Sequence, residues 1–187
     1  MRLDPRACRA RLRSFFERYS QAVQTFEPIP LRQRPLDLCL IAGFLLFACT
    51  SVFVDRLAAL DVDFCAEQPL GGSLCWYGQV LDPLFLANPQ WLRVMSGISA
   101  WVFGPLYLLL AWGFWRGVDA LRGPAVAWAV ALLYSLVVHL WMEMFGELPA
   151  PKPGLLLMIY LPYAVLPVVV LARLRESRPF TRVVESR

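Results

Sequence analysis

The sequence predicts an all-α integral membrane protein: a bundle of four transmembrane helices, with an amphipathic N-terminal helix and a cap loop on the outside. Two observations predict it. Four apolar stretches, near residues 38–54, 94–115, 125–142 and 154–173, are each about 17–22 residues long, enough for a helix rising ~1.5 Å per residue to cross a ~30 Å hydrocarbon core. The segments that join them also alternate in charge.

Before the first span stand Arg2, Arg6, Arg9, Arg11, Arg13, Arg18, Arg32 and Arg34. The loop after it carries Asp55, Asp61, Asp63, Glu67 and Asp82, with Arg56 and Arg93 at its two ends. The turn between spans two and three returns Arg116 and Arg122. Glu143 and Glu147 follow span three with a single Lys152, and the tail carries Arg173, Arg175, Arg178, Arg182 and Arg187. Positive charge falls on one side each time, which predicts cytoplasmic N- and C-termini.

Taken in order, residues 1–35 read as a basic cytoplasmic segment. Leu12, Phe15, Phe16, Tyr19, Val23 and Phe26 recur at helical spacing between arginines, the pattern of a helix lying on the membrane surface or packed under the bundle. Glu27-Pro28-Ile29-Pro30 ends it. The basic region reaches Arg34 before any apolar core begins, so a cleavable signal peptide is not expected. Residues 36–175 form the four-span domain and 176–187 a cytoplasmic tail. The first outside loop, 56–93, is rich in apolar residues (Phe64, Trp76, Tyr77, Leu84, Phe85, Trp91) and is predicted to fold back over the spans as a cap.

Prolines at 105 in span two and at 162 and 167 in span four remove backbone donors, which predicts bends turned toward a polar interior. With 58% hydrophobic residues and a net charge of +4, the 187-residue chain suits one membrane domain. The positive excess sits at the ends, where anionic lipid accounts for it without nucleic acid. Cys39 and Cys49 fall inside span one as small packing residues. Cys8 is expected to be reduced. Cys65 and Cys75, flanking a Pro-Leu-Gly-Gly turn in the outside loop, are a candidate disulfide.

The polar groups at membrane depth are the site candidates, because ionisable residues there usually face the bundle interior. Asp55 closes span one. Asp82 precedes Pro83, a position equally suited to capping a short helix. His139 and Glu143 are four apart on one face of span three, with Glu147 a further turn along. A histidine and one carboxylate supply two metal donors, short of a site, so no metal or other cofactor is expected. No nucleophile triad or phosphate-binding glycine loop is present. The spans suit an apolar ligand whose polar or cationic end meets a carboxylate.

A series of residues resembles the EXPERA superfamily. It runs through Phe53-Val54-Asp55, Trp76-Tyr77, Asp82-Pro83-Leu84, Pro89-Gln90-Trp91, Pro105, Arg122-Gly123-Pro124-Ala125, Tyr160-Leu161-Pro162-Tyr163 and Pro167. The similarity covers about residues 36–180 and is greater to the sigma-2 receptor branch than to the emopamil-binding sterol isomerases. The resemblance implies four helices with cytoplasmic termini, a pocket open sideways to lipid, and a sterol-like or amphiphilic amine ligand. It implies that Asp82 matches the aspartate pairing with a cationic amine, that Asp55 supports the pocket by hydrogen bonds, and that Tyr160 and Tyr163 are pocket aromatics. Two departures stand out. Ser99 occupies the place of an acidic residue in span two, and a histidine in mid-span one is missing, with Phe47 nearby.

The expectation is therefore a non-enzymatic membrane protein that binds a sterol-like, isoprenoid or cationic amphiphilic ligand. Asp82 anchors the ligand, Asp55 orients Asp82, and Trp101, Phe103, Tyr160 and Tyr163 line the slot. One alternative is an intramembrane isoprenoid or sterol isomerase or cyclase that uses His139 and Glu143 for proton transfer. The other is a scaffold or chaperone for another membrane protein; a homodimer through span two or four is also compatible. Heavy use of Arg, Ala and Leu with a single lysine points to a bacterial inner membrane, with the endoplasmic reticulum as the other setting.

Overall fold

The computed structural model describes residues 25–66 and 72–184. Four long apolar helices dominate it: α1 (Pro35–Ala59), α4 (Gln90–Arg116), α5 (Asp119–Phe145) and α6 (Pro153–Arg173), each long and apolar enough to cross a membrane. Two short helices, α2 (Ser73–Val80) and α3 (Pro83–Ala87), lie in the connection between α1 and α4. The protein is thus an all-α membrane protein, as its hydropathy pattern predicts. The surface-helix pattern around Leu12 to Val23 and Cys8 lie outside the described residues.

The spans pair as α1 with α4 and α5 with α6. At the end where α1 begins, α1, α4 and α5 are cemented by aromatic packing. Phe44 meets Phe114 and Trp128 edge-on with ring centroids 5.3 Å apart in both cases, and Tyr107 meets Trp128 at 5.6 Å. Edge-to-face contacts place the positive rim of one ring on the negative face of another. Small residues at Ala48, Ala111, Ala125 and Ala129 let the helices approach between these rings. The opposite faces carry Leu46, Trp112, Val137 and Met158 to the surface. In water such a surface would be costly; against lipid tails it is the expected outcome.

Cys39 and Cys49 correct one expectation. Both are exposed on the outer face of α1 and take no part in the core. The reason is helical phase: Leu40, Phe44, Phe47 and Ala48 mark the inward stripe of α1, and neither cysteine falls on it. A second difference is a small antiparallel sheet in which β1 (Thr25–Pro28) pairs with β2 (Thr181–Val184), Phe26 opposite Val183. The segment read as a helix breaker and the segment read as a cytoplasmic tail are joined there by backbone hydrogen bonds.

The sheet is one part of a latch at this end. Asp37, fully buried, accepts from Arg34 (2.6 Å) and from Arg173 (2.8 and 3.1 Å). Arg34 also donates to the carbonyls of Ile29 and Phe114, at 3.0 Å each. Both guanidiniums sit 5.2 Å from the centre of the buried Phe180 ring. Asp119 accepts from the Phe180 N–H (2.9 Å) and the Thr181 hydroxyl (2.6 Å). The turn that delivers Asp119 depends on Gly117, which ends α4 with φ of 70°. A side chain there would be strained in the backbone, and its Cβ would lie 3.3 Å from Arg34 Nη2. Gly117→Ala is expected to lower stability by about 1–2 kcal/mol, read as an earlier thermal unfolding transition in detergent.

At the other end the connection after α1 folds against the helices. Cys65 and Cys75 are disulfide-bonded, with Cα atoms 4.9 Å apart. Asn88, in the left-handed region, donates to the Ala58 carbonyl (2.9 Å) and to Asp61 (3.0 Å), tying the start of α4 to the end of α1. Arg93 closes the same corner on Asp61 at 2.6 Å. Phe64 and Phe85 stack 4.6 Å apart beneath it.

Candidate functional site

The tight aromatic core ends about halfway along the bundle, and a cavity of about 570 Å³ opens in the half beneath α2 and α3. Its wall is largely apolar, with Val54, Leu92, Met95, Phe103, Leu132 and Leu136 among the contributors. Ile98, Tyr134 and Ile159 belong both to this wall and to the exposed outer surface. The cavity therefore opens sideways, where the hydrocarbon of a membrane would lie.

Two wide π-helical turns face each other across one side of it, Ser51–Asp55 in α1 and Ser99–Phe103 in α4. A π turn holds one more residue than an α turn, rotates the residues after it to a new phase, and is frequent at functional sites. In α4 the cause is Pro105, which has no N–H to give back to Trp101 and whose ring crowds that carbonyl. The two turns are bonded through side chains. The Ser99 hydroxyl donates to Asp55 Oδ2 at 2.6 Å and lies 3.2 Å from the Ser51 hydroxyl. Asp55 is thus held at the cavity wall by a neutral donor at the one position where an acidic residue was expected.

On the other side of the cavity lies Asp82. It caps α3: Oδ1 accepts from the Phe85 N–H at 2.7 Å, beside Pro83 at the first helical position. Oδ2 accepts from the Tyr77 hydroxyl (2.9 Å) and the Tyr160 hydroxyl (3.3 Å). Tyr77 is partly buried, and that burial, then the Asp82 charge, push its phenol well above the ordinary range, so it remains a donor. Tyr160 is also 2.7 Å from His139 Nε2, which lies 3.5 Å from Glu143 Oε1. Helix α5 supplies both His139 and Glu143 from one face, as their four-residue spacing requires.

The structure sorts the predicted residues. Asp55, Phe103, His139, Tyr160 and Tyr163 line the cavity, Tyr163 stacked on Phe47 at 4.2 Å and donating to Thr50 at 3.1 Å. Asp82 and Glu143 are fully buried behind the wall, screened by Tyr77 and Tyr160. Asp55 bonds to Ser99, while Asp82 bonds to two tyrosines and a backbone N–H, so the orienting contact expected between the aspartates is replaced by these separate sets. Trp101 is outside the site: it is 59% exposed on the lipid side, 5.7 Å beneath Arg56. Ser99 and Phe103, four apart, face the cavity, and Trp101 lies midway between them and on the opposite face. Glu147 is exposed and joins no cluster among the described residues. Tyr77, Ser96 and Ser135 are among the wall residues that the sequence did not single out as site residues. Tyr77 had a signal, since a helix of eight residues brings it back onto Asp82 five positions later.

The fold and site define a class: a four-span helical membrane protein with a side-opening, largely apolar cavity whose wall carries two hydrogen-bonded polar sets, Asp55 with Ser99 and Tyr160 with His139. Its sequence places it further. The family model for EXPERA (EXPanded EBP superfamily) matches residues 69–174. The chain belongs to the EXPERA superfamily, as its motif order implied, and membership supports sterol-related binding or isomerase function in the membrane in general. No curated protein matches the chain.

Proposed function

We propose that this protein binds a sterol-like, isoprenoid or other amphiphilic lipid within the membrane, in the cavity between its four spans. The observation that carries the reading is a side-opening apolar cavity of about 570 Å³, a size suited to one small lipid, with one carboxylate, Asp55, in its wall. The apolar body would displace nothing that a lipid tail does not already displace. Selectivity then rests on the few polar groups. Asp55, steadied by Ser99, meets the polar or cationic end of the ligand, in a low-dielectric setting where a carboxylate attracts a cation strongly. Asp82 acts at one remove, as the group that fixes the Tyr77 and Tyr160 rings in the opposite wall. The motif order favours the sigma-2 receptor branch over the isomerase branch, and the distribution of arginines favours cytoplasmic termini.

A second reading has its own support. His139 Nε2 reaches the cavity wall beside the Tyr160 hydroxyl, an arrangement able to move a proton at a bound isoprenoid.

The test is mass spectrometry of small molecules that co-purify in mild detergent, wild type beside Asp55→Asn and His139→Ala. One isoprenoid or amine in stoichiometric amount, lost in Asp55→Asn and retained in His139→Ala, is expected. Conversion of an added isoprenoid by wild type and not by His139→Ala would instead establish the isomerase. Ordinary phospholipids in unchanged amount in all three would sink both readings and leave the scaffold role.

A further inference from the structure

Behind the cavity wall, Asp82, His139 and Glu143 bring three metal-ligating atoms within 4.8 Å of one another. We propose that these three side chains bind one divalent transition-metal ion of the zinc type. The sequence offered two donors on α5; the start of α3 adds the third across the bundle.

Four observations carry this. The first is an unmet demand at Glu143, whose neighbour Asp82 is itself hydrogen-bonded. Asp82 and Glu143 are fully buried, and neither Glu143 oxygen accepts a hydrogen bond among the described residues. No lysine or arginine among the described residues pairs with either carboxylate. A buried carboxylate is ordinarily paired, protonated or bound to a metal, because a lone charge taken out of water loses its hydration with nothing in return; a divalent ion would let both of these neighbouring carboxyls ionise.

The second is spacing. Two donors about 2.1 Å from one ion at a tetrahedral angle stand about 3.4 Å apart; His139 Nε2 and Glu143 Oε1 are 3.5 Å apart, and an ion bound there would take the place of the 2.7 Å hydrogen bond between Nε2 and the Tyr160 hydroxyl. A four-residue interval on one helix is also the interval by which helical zinc motifs present two donors. The third is preorganisation. The Phe85 N–H and the hydroxyls of Tyr77 and Tyr160 fix the Asp82 carboxylate, the kind of supporting hydrogen bonds that orient metal ligands.

The fourth is size selection. Tyr77 and Tyr160 stand between the carboxylates and the cavity. With those rings in between, the buried carboxylates suit a small ion better than a bulky organic ammonium. One imidazole with two carboxylates suits zinc and its first-row neighbours; calcium would require more oxygen ligands than these. The site shares His139 and the Tyr77 and Tyr160 rings with one wall of the cavity, while Asp55, the carboxylate of the lipid reading, takes no part in it.

The experiment uses the full chain in detergent, stripped with a chelator and titrated with zinc chloride. One zinc per chain is expected by elemental analysis, and zinc should raise the thermal unfolding temperature. Cobalt(II) in place of zinc should give the visible absorption of a low-coordinate site. Asp82→Asn, His139→Ala and Glu143→Gln should each weaken binding at least tenfold and abolish the cobalt spectrum. Glu147→Gln, exposed in the connection that follows α5, should leave both unchanged. Substoichiometric zinc in wild type, with no change in unfolding temperature, would overturn the proposal. So would full zinc content in His139→Ala and Glu143→Gln. If a variant fails to fold, the wild-type cobalt spectrum and the zinc-dependent unfolding temperature still decide.

Discussion

Asp37→Ala is expected to destabilise the protein by about 3–5 kcal/mol, the loss typical when one member of a buried ion cluster is removed. The carboxylate is fully buried and serves two guanidiniums, Arg34 at 2.6 Å and Arg173 at 2.8 and 3.1 Å. Without it, Arg34, 4% exposed at its side chain, keeps only backbone carbonyl partners and a ring face for its charge. The same loss frees Arg173 from α1, and Arg173 donates to the Pro179 carbonyl at 2.9 Å and shares the Phe180 ring with Arg34. Thermal or denaturant unfolding in detergent, followed by tryptophan fluorescence, measures the change. Asp37→Asn, which keeps one acceptor oxygen, should lose less. A shift for Asp37→Ala no larger than an ordinary surface substitution, within about 0.5 kcal/mol, would show that the latch holds nothing.

Ser135→Trp is expected to cut the lipid retained after purification at least tenfold, which corresponds to about 1.4 kcal/mol or more of binding free energy. Ser135 lies on α5 one turn from Ala131, and both face the cavity. Its hydroxyl turns back to the Leu132 carbonyl at 2.9 Å, so its own hydrogen bond is local and no partner across the bundle is lost. An indole placed there occupies space that the aromatic core, centred on Phe44, Tyr107 and Trp128, does not reach. Retained lipid is read by mass spectrometry, and folding by the unfolding temperature. Equal lipid content in wild type and a well-folded Ser135→Trp would mean that the lipid associates with the outer surface and not with the cavity.

The two predictions draw on opposite ends of the bundle, and the sequence announced those ends unequally. The spans, the cap loop and the inward turn of His139 and Glu143 follow from hydrophobic period and charge placement, which are local quantities. The latch was not legible. Arg34 and Arg173 stood out only as positive charges at helix ends, and nothing in their spacing tells that Asp37 would be buried between them. The pairing of Thr25–Pro28 with Thr181–Val184 joins segments at the two extremes of the described chain, a contact that no periodicity encodes. Trp101 illustrates a finer limit. Inside an apolar span every face looks alike by composition, and the π turn before Pro105 changes which residues point inward.

By itself, then, the sequence determined that the chain is a four-span helical membrane protein of the EXPERA superfamily, because span length and motif order are written along the chain. Its candidate carboxylates and histidine were also visible, since ionisable groups at membrane depth are costly and conspicuous. Only the tertiary structure decided what each of them meets. Asp55 reached Ser99 and the cavity, while Asp82 turned away behind Tyr77 and Tyr160 to join His139 and Glu143. The physical reason is that partnership across a bundle depends on the rotation of each helix about its axis. That rotation is set by packing many residues away, where Phe44, Tyr107 and Trp128 interlock.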